Sequence, residues 1–276
     1  MIKIIVDSGC DLTDAMKKEN NIVTVPLNLS IDDKNYIDDE KLDTTQLLCD
    51  MENSKNPCKT SAPSPDLFFN AYKGDEDIFA VTLSSKISSS YNSALIGKQM
   101  YNDEIGEKFI HVFDSLSASV GETLIALKIG ELAKLNKAKE IIIDKVNEFI
   151  AGMHTFFILE RFDNFVKNGR MNPYIASLAS FLSIKPICKA ENGQVALEAK
   201  ARGYNKAVEK LISIISKNVI EPEKRILGIT HIKCIEKARE LKEKIAQKIN
   251  FKDIIIMEAT GLCTAYADRN GIIVSY

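Results

Sequence analysis

The amino-acid sequence predicts an α/β protein of two domains: an N-terminal one with a mostly parallel sheet and flanking helices, and a C-terminal α/β one containing antiparallel strands. Three observations carry this. Short apolar runs alternate with amphipathic helical stretches through the first half, the pattern of strand–helix–strand units. The grammar changes near Ala151. Beyond it, "ENG" at 191–193 separates two strand-like runs and has the composition of a hairpin turn. The domains are therefore set at 1–150 and 151–276, and a chain of 276 residues with 45% hydrophobic content is long enough to bury the cores this requires.

Taken in order, "IKIIVDS" reads as the first strand and "DTTQLLCDME" as an amphipathic helix. Ser64 or Pro65 opens the helix "SPDLFFNAYKG", since proline suits a first helical turn. The strand "DIFAVTLSS", the helix "SSYNSALIGKQMY" and the strand "KFIHVFDS" follow, then the helices "SASVGETLIALKIGELAKL" and "KEIIIDKVNEFIAGM". The second half begins with the strand "HTFFILE", continues through helices around "FDNFVKN" and "NPYIASLASFL", and reaches the two runs of "IKPICKAENGQVALEAKARG". Internal repeats and low-complexity linkers are absent from the sequence.

Composition narrows the function. A formal net charge of −2 gives no general attraction to nucleic acid or to an anionic membrane surface. The N-terminus enters a strand pattern at once, without the apolar core and cleavage site of a signal peptide, and no apolar run approaches the roughly 20 residues that span a bilayer. A cytoplasmic protein is expected. Its six cysteines contain no CxxC pair, which in that compartment predicts free thiols and no zinc site.

The chemistry gathers in hydroxyl-rich segments. In open α/β sheets ligands sit beyond the carboxyl ends of strands, where helix N-termini offer free amides. "VDSGCDL", "LSSKISSSY" and "FDSLSASVGE" fall at such ends, and "CKTSAPSPD" reads as a further hydroxyl-rich turn stiffened by Pro63 and Pro65. A single serine or threonine before a helix is ordinarily an N-cap; four such loops together point to a polar ligand. Neither GxxxxGK[ST] nor GxGxxG is present, which disfavours ATP and NAD, and a small anion such as one carboxylate or monophosphate demands less. A Ser/His hydrolase is disfavoured too, with no GxSxG elbow and only three histidines, of which His111 and His154 belong to strands.

The motifs "DSGCDL", "KTSAPSP", "SSKISSSYNSA", "DSLSASVGE", "NGRM" and "IKP" occur in an order, over essentially the whole chain, that resembles the DegV family of bacterial fatty-acid-binding proteins. The resemblance implies two α/β domains, one bound long-chain fatty acid, no cofactor or metal, and presentation of the carboxylate to a separate fatty acid kinase for acyl phosphate and phospholipid synthesis. It implies no catalysis by the chain itself. Thr60 and Ser61 are then expected at the carboxylate with Ser88 and the amide of Ser89, while Arg170 and Arg202 match arginines that face the kinase. Phe156, Ile158, Ile175, Leu178, Phe181 and Leu182 are the expected tunnel wall.

Two departures stand out. The family usually has glycine at the Ser89 position and threonine at the Ser90 position, so the extra side chain is expected to tilt or narrow the head-group site. The C-terminal "GLCTAYADRNGIIVSY" has no histidine where many members have a threonine–histidine pair, leaving Thr264 and Tyr266 in the head-group region. The competing reading is an enzyme of small acidic or phosphorylated metabolites, with Asp7, Asp114 or His231 as acid or base at the same strand ends.

Overall fold

The computed structural model describes residues 1–180 and 183–276. The first half runs β1 (Ile2–Asp7), α1 (Asp14–Asn20), β2 (Ile22–Val25), β3 (Asn28–Ile31), β4 (Lys34–Ile37), α2 (Thr44–Asn53), β5 (Lys59–Ser61) and α3 (Pro65–Ala71). It continues with β6 (Asp77–Thr82), α4 (Ser90–Glu104), β7 (Ile110–Asp114), α5 (Val120–Lys134) and α6 (Lys139–Ala151). The second half holds β8 (Thr155–Ile158), α7 (Asp163–Lys167), α8 (Pro173–Ser180), β9 (Ile184–Glu191), β10 (Gln194–Arg202) and α9 (Tyr204–Asn218). It ends with β11 (Ile226–His231), α10 (Ile235–Ala246), β12 (Asp253–Glu258), α11 (Gly261–Ala267) and β13 (Ile272–Ser275).

The first sheet has the order β2-β1-β6-β7 and is parallel throughout. A parallel sheet must be covered on both faces, and successive side chains of a strand point to opposite faces. Accordingly Ile4, Val6, Phe79 and Val81 pack with Ile125 and Ile129 of α5 and Ile142 of α6. Ile5, Ile78 and Ala80 pack on the other face with Phe68 of α3 and Ala94 and Tyr101 of α4.

The second sheet has the order β10-β9-β8-β13-β11-β12, parallel between β11 and β12 and antiparallel elsewhere. The predicted hairpin joins β9 and β10, with Asn192 at φ 51° and Gly193 at φ 80°, the two left-handed residues that a tight hairpin favours. The two faces of β8 do different things. Phe156 and Ile158 pack with Leu211 of α9 and Leu241 of α10, whereas Phe157 and Leu159 face the opposite side with Met171, Ile175 and Cys263.

A third sheet, β4-β3-β5, is antiparallel and was not expected from the sequence. "CKTS" is therefore not a turn: Lys59–Ser61 is an edge strand that pairs Thr60 with Leu29. The alternation of Leu29 and Ile31 with polar neighbours, followed by Asp32 at φ 50°, is the signal that marks its hairpin.

Helix α5 joins the halves. Ten of its 15 residues are buried. Ile125 and Ile129 lie on the first sheet, while Val120 and Leu124 pack with Met257 and Ile273 of the second. The approach to β11 is close enough to need glycine: a Cβ at Gly228 would stand 2.1 Å from Val120 Cγ2. Valine is stiff at χ1 and cannot swing aside cheaply. Gly228→Ala is therefore expected to destabilise the protein by ~1–3 kcal/mol in urea unfolding, with Val120→Ala recovering part of the loss in the double variant.

Candidate functional site

A cavity of ≈ 340 Å³ lies between the two halves. Its apolar wall comes from Leu27, Leu83, Ile87, Phe157, Leu159, Phe165, Val195, Leu262 and Ile273. Its polar lining comes from Thr60 and Ser61 of β5, Ser88 and Ser89 before α4, Ser117 and Ser119 before α5, and Thr155, Arg170 and Tyr266.

The serine loop divides Ser84, Ser88, Ser89 and Ser90 between scaffold and lining. Asp7, fully buried at the end of β1, accepts from Gly9 N and Leu83 N at 2.9 Å each and from the Ser90 hydroxyl. Ser84 Oγ donates to the Gly193 carbonyl at 2.8 Å, which seats the β9–β10 hairpin tip against the loop. A Cβ on Gly193 would meet that same Ser84 oxygen at 2.4 Å. Ser88 Oγ accepts from Ser90 N at 3.1 Å, and Ser89 is the N-cap residue of α4, its own hydroxyl making no capping bond. Ser88 and Ser89 thus line the cavity where α4 presents its amino end.

Thr60 meets Tyr266 across 206 residues of sequence, their hydroxyls 3.0 Å apart. Asn164 of α7 and Asn168, which caps the carboxyl end of that helix, hold this pair together. Asn164 accepts from Cys58 N at 3.2 Å and donates to the Ala265 carbonyl at 2.6 Å; Asn168 donates to the Cys58 carbonyl at 2.9 Å. Burial pushes the Tyr266 phenol above its ordinary range, opposed by its bond to Thr60 and by the positive Arg170 nearby. Arg170 Nε donates to the Ile87 carbonyl at 3.2 Å, clasping the serine loop from the other half. Asp38 holds the start of α11, the helix that carries Tyr266, by accepting from Gly261 N at 2.7 Å and Leu262 N at 2.9 Å. Burial nevertheless pushes its carboxyl up to about 7.

On the side of the "DSLSAS" loop, Ser117 and Thr155 hydroxyls are 2.8 Å apart and Thr155 reaches Ser275 at 2.9 Å, so these groups satisfy one another. Ser119 donates to Asp11 and adopts φ 59°. A non-glycine residue in that region is a local strain held by its surroundings.

Several sequence-derived residues fall elsewhere. Phe156 and Ile158 point away from the cavity, because the alternation along β8 gives Phe157 to it instead, with Leu159 just beyond the strand. Ile175 and Leu178 are buried on α8 without lining it, and Phe181 and Leu182 lie outside the described residues. Thr264 is 1% exposed inside α11 and does not line the cavity, whereas Tyr266, two residues on, does. Arg170 both lines the rim and reaches the surface; Arg202, at the end of β10, is exposed and away from the lining. Asp7, Asp114 and His231 are not among the lining residues: Asp114 accepts from Ser85 N and Leu116 N, and His231 Nδ1 accepts from Cys234 N at 3.4 Å. The hairpin tip, Asn164, Asn168 and Phe165 were not anticipated; the i, i+4 spacing of the two asparagines in "NFVKN" is the signal that marks them as one helix face.

Among the described residues, no group of three or more His, Cys, Asp or Glu is arranged to hold a metal ion, and no helix is long and apolar enough to cross a membrane. The six cysteines are free, five of them buried.

Comparison with known proteins gives a consistent picture. A DegV family protein from Ruminococcus gnavus, whose crystal structure was refined with vaccenic acid, superposes with a TM-score of 0.95 at 39% identity, covering 100% of this chain and 99% of that one. The Streptococcus pneumoniae fatty acid kinase B3 protein, loaded with linoleic acid, gives a TM-score of 0.91 at 30% identity over 100% and 99% of the two chains. A curated DegV domain-containing protein of Streptococcus pneumoniae is 32% identical over 278 residues, 99% of this chain and 98% of its own. The family description "Uncharacterised protein, DegV family" matches residues 1–276, and the chain belongs to the DegV family.

Proposed function

We propose that the protein binds one long-chain fatty acid in this cavity and presents the carboxylate to a separate fatty acid kinase, without catalysing a reaction itself. The observation that carries the reading is the cavity: an apolar wall drawn from both halves, joined in the lining by the hydroxyls of Thr60, Ser61, Ser88 and Tyr266 and by the amino end of a 15-residue helix. That is the polarity of a fatty acid. The fatty acids held by the relatives from Ruminococcus gnavus and Streptococcus pneumoniae support it, and the latter's name links such a protein to a fatty acid kinase.

Magnitudes agree. Burying about fifteen methylenes at roughly 0.8 kcal/mol each yields a gross gain near 12 kcal/mol, from which association and ordering costs are subtracted. The polar end then sets orientation more than strength, since a hydrogen bond to a charged group nets about 1.5–3 kcal/mol. Thr60, Ser61, Ser88, the Ser89 amide and the Tyr266 hydroxyl are the groups assigned to the carboxylate. Tyr266 takes the role of the histidine that this chain lacks. An acid–base enzyme fits less well, because Asp7, Asp114 and His231 do not line the cavity.

Mass spectrometry of the denatured protein purified from bacteria is expected to release an equimolar long-chain fatty acid; lipid-free protein that also fails to bind added fatty acid would overturn the reading. Tyr266→Phe and Thr60→Val are each expected to weaken fatty-acid binding by about three- to tenfold, with losses that do not add in the double variant because the two hydroxyls share one bond. Arg202→Ala is expected to leave lipid affinity intact and slow acyl phosphate formation with a purified kinase, as a rim charge alters encounter. Arg170→Ala should impair both, since its side chain also closes the cavity.

A further inference from the structure

We infer that Glu122 and Asp7 are a carboxyl–carboxylate pair sharing one proton, and that Glu122 is thereby a positioning residue for the serine loop, an inference that rests on the lipid-carrier reading of that loop. Glu122 stands in the first turn of α5 at 0% exposure, and neither of its carboxyl oxygens has a donor among the described residues. What it faces at hydrogen-bonding range is the Asp7 carboxyl, also at 0% exposure and itself an acceptor when ionised. Two carboxylates so placed would repel, and both Glu122 oxygens would stay unsatisfied in a dry interior. One proton removes both problems, as Glu122 then donates and Asp7 accepts.

The donors decide which residue keeps the proton. Asp7 receives Gly9 N, Leu83 N and the Ser90 hydroxyl, three bonds that favour its charged form. Glu122 receives none. Burial first, and the Asp7 charge second, push the Glu122 carboxyl well above the ordinary carboxylate range. The other groups that act on it are also acidic, Asp11 in the loop after β1 and Asp114 at the end of β7, and the buried thiols Cys10 and Cys263 are themselves pushed up in part by Glu122. Asp11 is occupied by Ser119 and Thr260, so it offers Glu122 no proton.

The consequence reaches the ligand because Asp7 is what fixes the serine loop. Its bonds hold Leu83 and Ser90, the residues on either side of Ser88 and Ser89. Loss of the Glu122 proton would set a second buried charge against Asp7 and loosen that anchor. A group whose folded-state pKa is raised contributes stability that is present at low pH and lost as pH climbs through the folded value. The fall therefore lies on the alkaline side of the ordinary carboxylate range.

The pair is tested first without any ligand. With side-chain carboxyls of glutamate labelled with carbon-13, NMR of the intact protein at neutral pH is expected to show one carboxyl still protonated, and Glu122→Gln should remove that resonance. Full ionisation of every glutamate at neutral pH would overturn the pair. Positioning is tested with palmitate. Wild-type affinity is expected to drop by about tenfold as the labelled carboxyl ionises, Glu122→Gln to bind with no such drop because its amide still donates to Asp7, and Glu122→Ala to bind weakly at all pH values. An alkaline fall in Glu122→Gln equal to that of the wild type would overturn it. Palmitate binding by none of the proteins would overturn the carrier reading and the positioning role with it, while the NMR result still decides the shared proton.

Discussion

The packing of α5 against both sheets is the constraint on which the rest of the molecule depends. A helix that buries Ile125 and Ile129 on one sheet and Val120 and Leu124 on the other sets how far apart the two sheets stand. The contact at Gly228 leaves no slack in that distance. The space beside the helix cannot close, because closing it would drive Val120 into β11. What remains is lined from both halves, with α4 entering from one side and the β9–β10 hairpin tip from another. The cavity follows from how the sheets are spaced, and its apolar wall is shared, since Leu27 and Leu83 of the first half pack with Leu262 of the second.

Around that space, buried carboxylates organise the backbone. Asp7 gathers the serine loop, Asp11 ties the "DSLSAS" loop to Thr260, and Asp38 receives the first amides of α11. Each sits where a strand or loop end would otherwise leave amides unpaired in a dry region, and an unmade bond there costs about 1–3 kcal/mol. The outcome is that polar groups facing the cavity are held by polar groups behind it. Ser88, Ser89, Thr60 and Tyr266 stand on backbone that the carboxylates and the Asn164–Asn168 pair have fixed. Preorganisation of this sort lets a few hydroxyls orient a charged group without ordering costs at each binding event.

The sequence disclosed the layers better than the faces. Alternating apolar runs announced the parallel sheet, and "ENG" announced the hairpin, because both signals are local. The third sheet escaped because β5 has three residues and β4 four, with mostly exposed side chains and no apolar period to read. On β8 the run "TFFI" is buried at every position, so periodicity carries no information about which side faces the cavity. Phe156 and Ile158 are as apolar as Phe157 and Leu159; only the position of α9 and α10 separates them. The serines pose the same difficulty in polar form. Ser90 and Ser84 are scaffold and Ser88 lines the cavity, yet nothing in "SSKISSSY" tells a hydroxyl that bonds Asp7 from one that faces open space. Thr60 and Tyr266 meet through a fold that no window of sequence contains.

A crystal structure of the protein with palmitate measures directly how one ligand is oriented in this cavity. The carboxylate is expected within hydrogen-bonding distance of Thr60, Ser88 and Tyr266, with the tail running along Phe157 and Leu159. A carboxylate bonded to Ser117 and Thr155 instead, or a tail lying outside the wall formed by the two halves, would contradict this orientation.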